Sequence, residues 1–186
     1  MPRTYGINRK NRPYELKEYD PEWKNLFLKY SEMIKPIIGA NLISIEHMGS
    51  TSIKGMVAKP QIDILVVVKD LDQIKSLYDK FTSEGFVPRG REYVGIGDEY
   101  VTLDSPSGKR LAGIHIFQIG HPMIEEDRLF GVYISTHDFD KQLYIQTKKD
   151  LYSKYHDNYE AYDIGKNDVL KEIKNRAREW DENGRK

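Results

Sequence analysis

Cysteine is absent from this 186-residue chain. Its absence excludes disulfide bonds, zinc–thiolate sites and thiol catalysis, and it fits a reducing compartment. No apolar run approaches the ~20 residues that a membrane-spanning helix needs, and the first residues lack the apolar core of a signal peptide. We therefore predict a soluble, cytoplasmic protein with no membrane partner.

Net charge is also absent, because 29 Lys and Arg residues balance 29 Asp and Glu residues. A chain without a net field does not attract nucleic acid or an anionic membrane over a distance. Long nucleic acid is therefore a weak candidate for the substrate, although a local basic patch is compatible with this balance. Composition alone does not predict the oligomeric state.

Repeats, low-complexity tracts and convincing linkers are missing as well, and the length fits one domain with a sizeable core. Residues 1–13 contain two prolines, one glycine and four basic residues without an apolar period. We interpret this segment as a flexible or loosely docked N-terminal arm. Residues 14–186 are expected to form a single domain.

Hydrophobic spacing predicts a mixture of strands and helices in the first two thirds of the chain and only helices in the last third. The expected strands are 43–48, 62–68, 99–104 and 110–118, with shorter extended pieces at 15–19, 86–90 and 93–97. The expected helices are about 20–38, 70–85, 125–135, 139–155 and 166–181. The fold class is thus α/β (α+β), a mixed β-sheet flanked by helices with a helical C-terminal third.

The chemistry is concentrated where the first strand ends in Gly49-Ser50 and the second begins near Asp63. A glycine there lets backbone N–H groups approach a ligand, and the neighbouring hydroxyl adds a donor. Asp63 stands in a strongly apolar strand, where a carboxylate is costly unless it meets a cation or strong donors. The pattern can hold a triphosphate beside its metal, but a Gly-Ser pair alone is also typical of a simple turn.

This arrangement resembles the Gly-Ser…Asp-x-(Asp/Glu) core of the polymerase β-type nucleotidyltransferases. It resembles in particular the GrpB family of predicted nucleotidyltransferases, through the segments His47–Ile53, Ala58–Pro60 and Ile62–Ile64. Further landmarks extend the likeness over roughly residues 14–180, at 19–23, 114–116, 144–148 and 162–166. The resemblance implies a nucleotidyltransferase-like fold and transfer of a nucleoside monophosphate from an NTP to a hydroxyl or amine of a small-molecule or protein acceptor.

Such a reaction implies a divalent metal, Mg²⁺ or Mn²⁺, which neutralises charge on the phosphates. Twelve residues separate Ser50 from Asp63, in agreement with the motif, but Leu65 stands where the second acid is expected. His47 and His115 are candidates to complete a metal site with Asp63, and imidazole ligands would favour a transition metal. Alternatively, His115 or His47 acts as a general base, or each histidine only makes hydrogen bonds at the sheet edge.

Phosphate contacts are expected from Gly49, Ser50 and Ser52 in the loop. The lysines that match family positions, and are therefore expected to reach phosphates, are Lys59, Lys148 and Lys166. Surface ion pairs are the alternative explanation for these lysines. Asp98 and Glu99 are weaker candidates for the missing second acid, because Gly97-Asp98 is also typical of a turn.

One segment departs from the family pattern. Related chains tend to carry Phe-Arg-Asp-Tyr-Leu-Arg where this chain has Phe-Gly-Val-Tyr-Ile-Ser at 130–135. The departure and the missing second acid support an alternative to the enzyme, namely a non-catalytic nucleotide- or ligand-binding module on the same scaffold. A metal-dependent phosphoesterase is a third and more distant hypothesis.

Overall fold

The computed structural model describes residues 12–185. Within them the α-helices are α1 Glu22–Ile38, α2 Tyr78–Ser83, α3 Pro122–Thr136, α4 Asp138–Tyr155, α5 Tyr159–Gly165 and α6 Asn167–Glu182. The strands are β1 Leu42–Met48, β2 Ile62–Val68, β3 Phe86–Gly90, β4 Glu99–Asp104 and β5 Arg110–Gln118. Short 3-10 segments occur at Gly39–Asn41, Ser50–Ser52 and Asp72–Leu77.

The strands form one mixed sheet in the order β1-β2-β5-β4-β3. Strands β2 and β5 are parallel, whereas the β1–β2, β4–β5 and β3–β4 pairs are antiparallel. This architecture confirms the predicted fold class of a mixed sheet with flanking helices and a helical C-terminal third. The parallel pair lies in the interior of the sheet, where β-branched strands buried on both faces are expected.

Strand β2 buries different partners on its two faces, because successive side chains alternate. Ile62, Ile64, Val66 and Val68 pack into the main core against α1, which contributes Trp23, Tyr30, Ile34, Ile37 and Ile38. On the opposite face, Leu65 and Val67 join a smaller cluster with Phe117 and Ile124. Asp63 shares that second face, and it therefore lies on the side of the sheet away from α1.

The C-terminal helices pack on the connection between β1 and β2 rather than on the main core. Ile53, Met56 and Val57 of this connection are buried against residues of α3, α4 and α6, namely Phe130, Tyr133, Ile134, Tyr144, Ile145, Ile173 and Ala177. Burial of each such side chain contributes about 1.5–3 kcal/mol. Packing against α3, α4 and α6 therefore holds the loop that follows β1 in place.

Local differences from the sequence predictions have identifiable causes. Residues 15–19 form a single bridge instead of an edge strand, because the backbone of Lys17 pairs with Ala58 in the β1–β2 connection. Residues 93–97 form turns and bends in the connection between β3 and β4. The predicted helix at 70–85 is α-helical only in α2.

The C-terminal third also differs in detail. Helix α5 lies within a stretch for which no helix was expected, and Phe139 near the start of α4 is 81% exposed. Of the predicted N-terminal arm, residues 1–11 lie outside the described residues, and Arg12 contacts the folded domain. In residues 12–185 no helix combines the length and apolarity needed to cross a bilayer.

Candidate functional site

A cleft of about 690 Å³ lies on the Asp63 side of the sheet, between β2, β5 and the C-terminal helices. Its lining carries more cationic than anionic side chains. The cations are Arg12, Lys59, Arg110, Arg128, Lys148, Lys166 and Lys174, and the carboxylates are Glu46, Asp63, Asp127 and Asp163. A concave site with an excess of positive charge favours an anionic ligand.

Asp63 lies directly against the loop that ends β1. Gly49 has φ +71°, and a Cβ atom at this position would stand 2.6 Å from Asp63 Oδ2. Only glycine therefore allows the backbone to approach the carboxylate this closely. Ser52 Oγ donates to the Gly49 carbonyl at 2.7 Å and closes the turn. The structure thus places the predicted loop and the predicted acid side by side.

The other oxygen of the same carboxylate faces β5. Asp63 and Gly113 are register partners, and a Cβ at Gly113 would lie 3.4 Å from Asp63 Oδ1 and 2.6 Å from Tyr100 Oη. Gln61 Nε2 donates to Asp63 Oδ1 at 2.9 Å. Gln61 lies two residues before Asp63 on the same face and therefore supplies a hydrogen-bond donor. A pair of metal-binding residues would need a second carboxylate there.

Lys148 reaches the same loop from α4. The residue is 2% exposed, and Nζ donates to Ser50 Oγ at 2.6 Å and to the Val57 carbonyl at 2.8 Å. The ion pairs of residues 12–185 give this amine no carboxylate partner. Burial lowers the pKa of Lys148 well below its usual value, and the charges of Lys166 and Lys59 lower it further. An anion beside Ser50 would stabilise the charged amine.

Lys59 and Lys166 line the cleft next to Lys148 but share an acidic partner. Lys166 Nζ lies 2.9 Å from Asp163 Oδ1, and Lys59 Nζ lies 3.8 Å from the same oxygen. Lys59 Nζ also donates to Tyr159 Oη at 2.6 Å. Burial opposes the charge of Lys166, but Asp163 and nearby tyrosines outweigh it and raise the pKa well above its usual value.

His47 lies on the other face of the sheet. Its register partner is Ile64, whereas Met48 is the register partner of Asp63. The imidazole stacks on Phe27 of α1, with ring centroids 4.9 Å apart and 7° between the planes. The predicted contact with Asp63 is therefore not formed, because the pairing register places His47 on the α1 side.

The contacts of His47 give it a supporting role for the loop. Its Nε2 lies 2.9 Å from the hydroxyl of buried Thr51. Burial lowers the pKa of His47 to about 4, against the opposing charge of Asp63, and the imidazole is therefore neutral near pH 7. His47 thus holds the loop from the core side as a neutral hydrogen-bonding group.

His115 lies on the same face as Asp63, because its register partner is Leu65. Its Nδ1 is 2.6 Å from Oδ2 of Asp98, a residue with no exposed surface, and its ring is 4.6 Å from that of Tyr100. The other oxygen, Asp98 Oδ1, is buried without a hydrogen-bond partner within the described residues. Asp98 therefore orients the His115 ring through Nδ1. The other ring nitrogen, Nε2, belongs to an imidazole that lines the cleft.

The proposed metal ligands are not assembled into one group. In the described part of the chain no three His, Asp or Glu side chains are placed to hold an ion together. One oxygen of Asp63 already accepts from Gln61, and His47 is on the opposite face. These residues do not fit a resident metal centre. Magnesium that arrives with a polyphosphate needs only one or two carboxylates, because the phosphates and water supply its other ligands.

Arg12 is a cleft residue that the sequence did not single out. Arg12 Nη2 donates to Gln61 Oε1 at 3.2 Å, and the guanidinium lies 5.0 Å from the centre of the Tyr159 ring. Arg12 stands in a segment without periodicity or motif, so nothing in the local sequence predicts its contact with Gln61. Helix α3 lines the cleft with Gly131, Val132 and Ser135, the positions at which the two arginines and the aspartate of the family pattern are replaced.

These observations define a class of protein, a mixed α+β domain with a cationic cleft organised around a Gly-Ser loop and a partly buried aspartate. The chain belongs to the GrpB family, because the family model described as GrpB protein matches residues 13–176. The family assignment agrees with the resemblance seen in the sequence.

Two related sequences and a solved structure support this assignment. The chain is 30% identical over 169 residues to the UPF0157 protein YqkA of Bacillus subtilis, covering 91% of this chain but only 48% of YqkA. It is 30% identical over 162 residues to the UPF0157 protein SCO7215 of Streptomyces coelicolor, covering 87% and 83% of the two chains. The crystal structure of conserved protein GrpB from Enterococcus faecalis superposes with a TM-score of 0.81 and 29% identity, covering 88% of this chain and 96% of that one. The chain thus spans about half the length of YqkA and most of the other two.

Proposed function

We propose that this protein is a nucleotidyltransferase of the polymerase β type, which moves a nucleoside monophosphate from an NTP to a hydroxyl or amine of an acceptor in the cytoplasm. One observation carries the proposal. Lys148, which is buried and has no carboxylate partner among residues 12–185, donates to Ser50 in the loop whose Gly49 contacts Asp63. A buried cation, an open backbone loop and a carboxylate thus converge at one end of the cleft.

The β- and γ-phosphates are proposed to bind at Ser50 and Lys148, with Lys59 and Lys166 beside them. An anion at this place would offset the desolvation of the Lys148 amine and add charge-assisted hydrogen bonds. Asp63 Oδ2 faces the same loop, and it would meet the magnesium that enters as part of the nucleotide substrate. The lining cations favour a polyphosphate, and no long nucleic acid is required.

The proposed reaction is a displacement at the α-phosphorus. An acceptor oxygen or nitrogen forms a bond to that phosphorus while the bond to the β-phosphate oxygen breaks, and pyrophosphate leaves. The acceptor proton passes to Nε2 of His115, whose Nδ1 is held by Asp98. Lys148 and its neighbours neutralise the charge that develops on pyrophosphate.

A nucleotide-binding module without turnover is the second candidate. The specific observation in its favour is the amide of Gln61 on Asp63 Oδ1, together with Leu65 at the position of the expected acid. Such a module would retain the phosphate contacts of Ser50 and Lys148 and lack the transfer step.

Incubation of the protein with each α-labelled NTP, Mg²⁺ or Mn²⁺ and a panel of small hydroxyl and amine compounds tests the proposal, with pyrophosphate release and transfer of the label to a small molecule or to the protein as readouts. Lys148→Met is expected to weaken nucleotide binding about 10- to 100-fold, as the loss of a charge-assisted contact does. Lys149→Met is the matched control, because Lys149 is its neighbour on α4 and pairs with Glu18 at the surface. Binding without turnover by the wild type, with any NTP, would favour the module. Equal binding by Lys148→Met and wild type would refute both candidates.

A further inference from the structure

The cations of the cleft differ in whether a carboxylate neutralises them. Within the described residues the neutralised ones, each with its partner, are Lys59 and Lys166 with Asp163, Arg110 with Asp104, Arg128 with Glu46, and Lys174 with Glu126 and Asp127. Lys148 and Arg12 remain without a carboxylate in this part of the chain. Lys148 is explained by the proposed phosphate site, whereas Arg12 is not.

Arg12 and Lys148 approach Asp63 from opposite sides. Lys148 contacts Ser50, next to the glycine that faces Asp63 Oδ2. Arg12 bonds to Gln61, whose amide donates to Asp63 Oδ1 on the β5 side. Lys148 therefore lies on the Oδ2 side of Asp63 and Arg12 on the Oδ1 side, and within residues 12–185 neither cation has a carboxylate partner.

A second guanidinium, that of Arg110, lies near Arg12 and is itself paired with Asp104. Arg110 is 7% exposed, and its Nη1 donates to Tyr100 Oη at 3.2 Å beside Gly113. Burial lowers the pKa of Arg12, and the nearby charge of Arg110 acts in the same direction. The only hydrogen-bond acceptor that the described residues offer to this guanidinium is the neutral amide oxygen of Gln61.

We propose that the Arg12 end of the cleft binds the anionic group of the acceptor, and that the acceptor is a small acid carrying a carboxylate or a phosphate besides its reactive hydroxyl or amine. This inference rests on the proposed function, because only a transferase has an acceptor. The guanidinium fork matches either oxyanion with two parallel hydrogen bonds. With its anion held at Arg12 and the nucleotide phosphates at Lys148, the reactive group of the acceptor lies over Asp63, between the two ends.

A titration in the presence of nucleotide analogue tests the two ends separately. The protein is saturated with α,β-methylene-ATP, which occupies the Lys148 end without transfer, and is then titrated with inorganic phosphate, acetate or neutral glycerol by calorimetry. Phosphate or acetate is expected to bind the wild type, glycerol is not, and the better of the two anions identifies the acid. Arg12→Gln is expected to weaken that anion about 10- to 100-fold and leave the affinity for the analogue unchanged.

Three further variants make the result specific. Arg12→Lys keeps the charge but not the fork, so it is expected to retain part of the anion affinity. Lys17→Gln removes a charge that pairs with Glu15 on the surface, and it is expected to change neither affinity. Lys148→Met is expected to weaken the analogue and spare the anion, the reverse of Arg12→Gln.

Two results would overturn the inference. One is an anion affinity that Arg12→Gln does not change, including the absence of anion binding by the wild type. The other is a loss of analogue affinity in Arg12→Gln, which would assign Arg12 to the nucleotide. If the analogue does not bind but phosphate or acetate still binds in an Arg12-dependent way, the nucleotidyltransferase proposal fails while the anion site stands.

Discussion

The two faces of β2 differ in polarity: one is entirely apolar, and the other begins with a carboxylate. The α1 face is a continuous apolar row that includes Ile62, Ile64 and Val66, each at most 1% exposed. The cleft face begins with Asp63, which faces Gly49 on one side and Gln61 on the other. One strand thus places its main contribution to stability and its main candidate for function on adjacent residues, and alternation keeps the two environments apart.

The two histidines repeat this contrast on the neighbouring strands. His47 of β1 lies on the α1 side and supports the loop through Thr51, whereas His115 of β5 lies on the cleft side and is held by Asp98. Which face a residue occupies, rather than its residue type, therefore decides whether it supports the loop or lines the cleft. Changes on each face should separate stability from function.

The largest effect is expected from Asp63→Asn on the cleft face. Loss of the negative charge removes the electrostatic partner of the nucleotide-bound metal, and the rate of label transfer should fall by about 10³ or more. The free energy of unfolding should change little, because the amide keeps the shape of the side chain. Transfer is measured with labelled NTP, and stability by chemical denaturation. A variant that transfers label at the wild-type rate would show that Asp63 has no part in the reaction.

The matched change on the opposite face is Ile64→Ala. Ile64 is fully buried in the main core, so the truncation should lower the free energy of unfolding by about 2–5 kcal/mol. Nucleotide affinity per folded molecule should stay at the wild-type value, because the side chain does not line the cleft. Urea denaturation and a binding titration well below the unfolding midpoint measure the two quantities. A selective loss of affinity without loss of stability would mean that the faces are coupled.

Gly49→Ala tests the contact between the loop and the carboxylate. The added methyl group would clash with Asp63 Oδ2 and force φ +71° on a non-glycine residue, at a cost of about 1–3 kcal/mol. The loop or Asp63 must then move, and nucleotide affinity should fall with stability. Gly131→Ala in α3 is the control, since among residues 12–185 no atom outside the local backbone of α3 lies within 4 Å of its added methyl group. It should raise stability by about 0.5–1 kcal/mol through helix propensity. Equal effects of the two substitutions would contradict the close approach at Gly49.

Local patterns in the sequence were sufficient for much of the fold. The apolar run of 62–68 and the alternation around Asp63 predicted β2 and the face of each of its side chains. Alternation within one strand does not reveal its partner or register, however. The pairing of Met48 with Asp63 sets the face of His47, and it is fixed by the whole sheet. For this reason the predicted cluster of three metal ligands was not formed.

The residues that sequence reasoning missed make contacts distant along the chain. Arg12 meets Gln61 across 49 positions. Asp98 was considered only as an acid in a turn, because nothing local shows that β4 brings the preceding loop to His115. By contrast, the Gly49-Ser50 loop and Lys148 match family positions, and family positions carry long-range information that composition and periodicity do not.

The last prediction concerns the pH dependence of stability through His47. Its pKa is about 4 in the folded protein and 6.5 in an unperturbed imidazole, so between these values only the unfolded chain takes up the proton. The stability of the wild type should therefore fall as the pH decreases from 6.5 towards 4, with a contribution of at most about 1.4 kcal/mol per pH unit.

His47→Gln isolates this contribution, because glutamine keeps a polar group near Thr51 but does not titrate. Both proteins retain His115 and the other titrating groups, whose effects cancel in the difference between their unfolding free energies. That difference should be constant above pH 6.5 and shift in favour of the variant as the pH decreases towards 4. Parallel curves over this range would mean that His47 is protonated in the folded protein as easily as in the unfolded chain. The α1 face would then not exclude water from the imidazole, and the contrast between the two histidines would lose its physical basis.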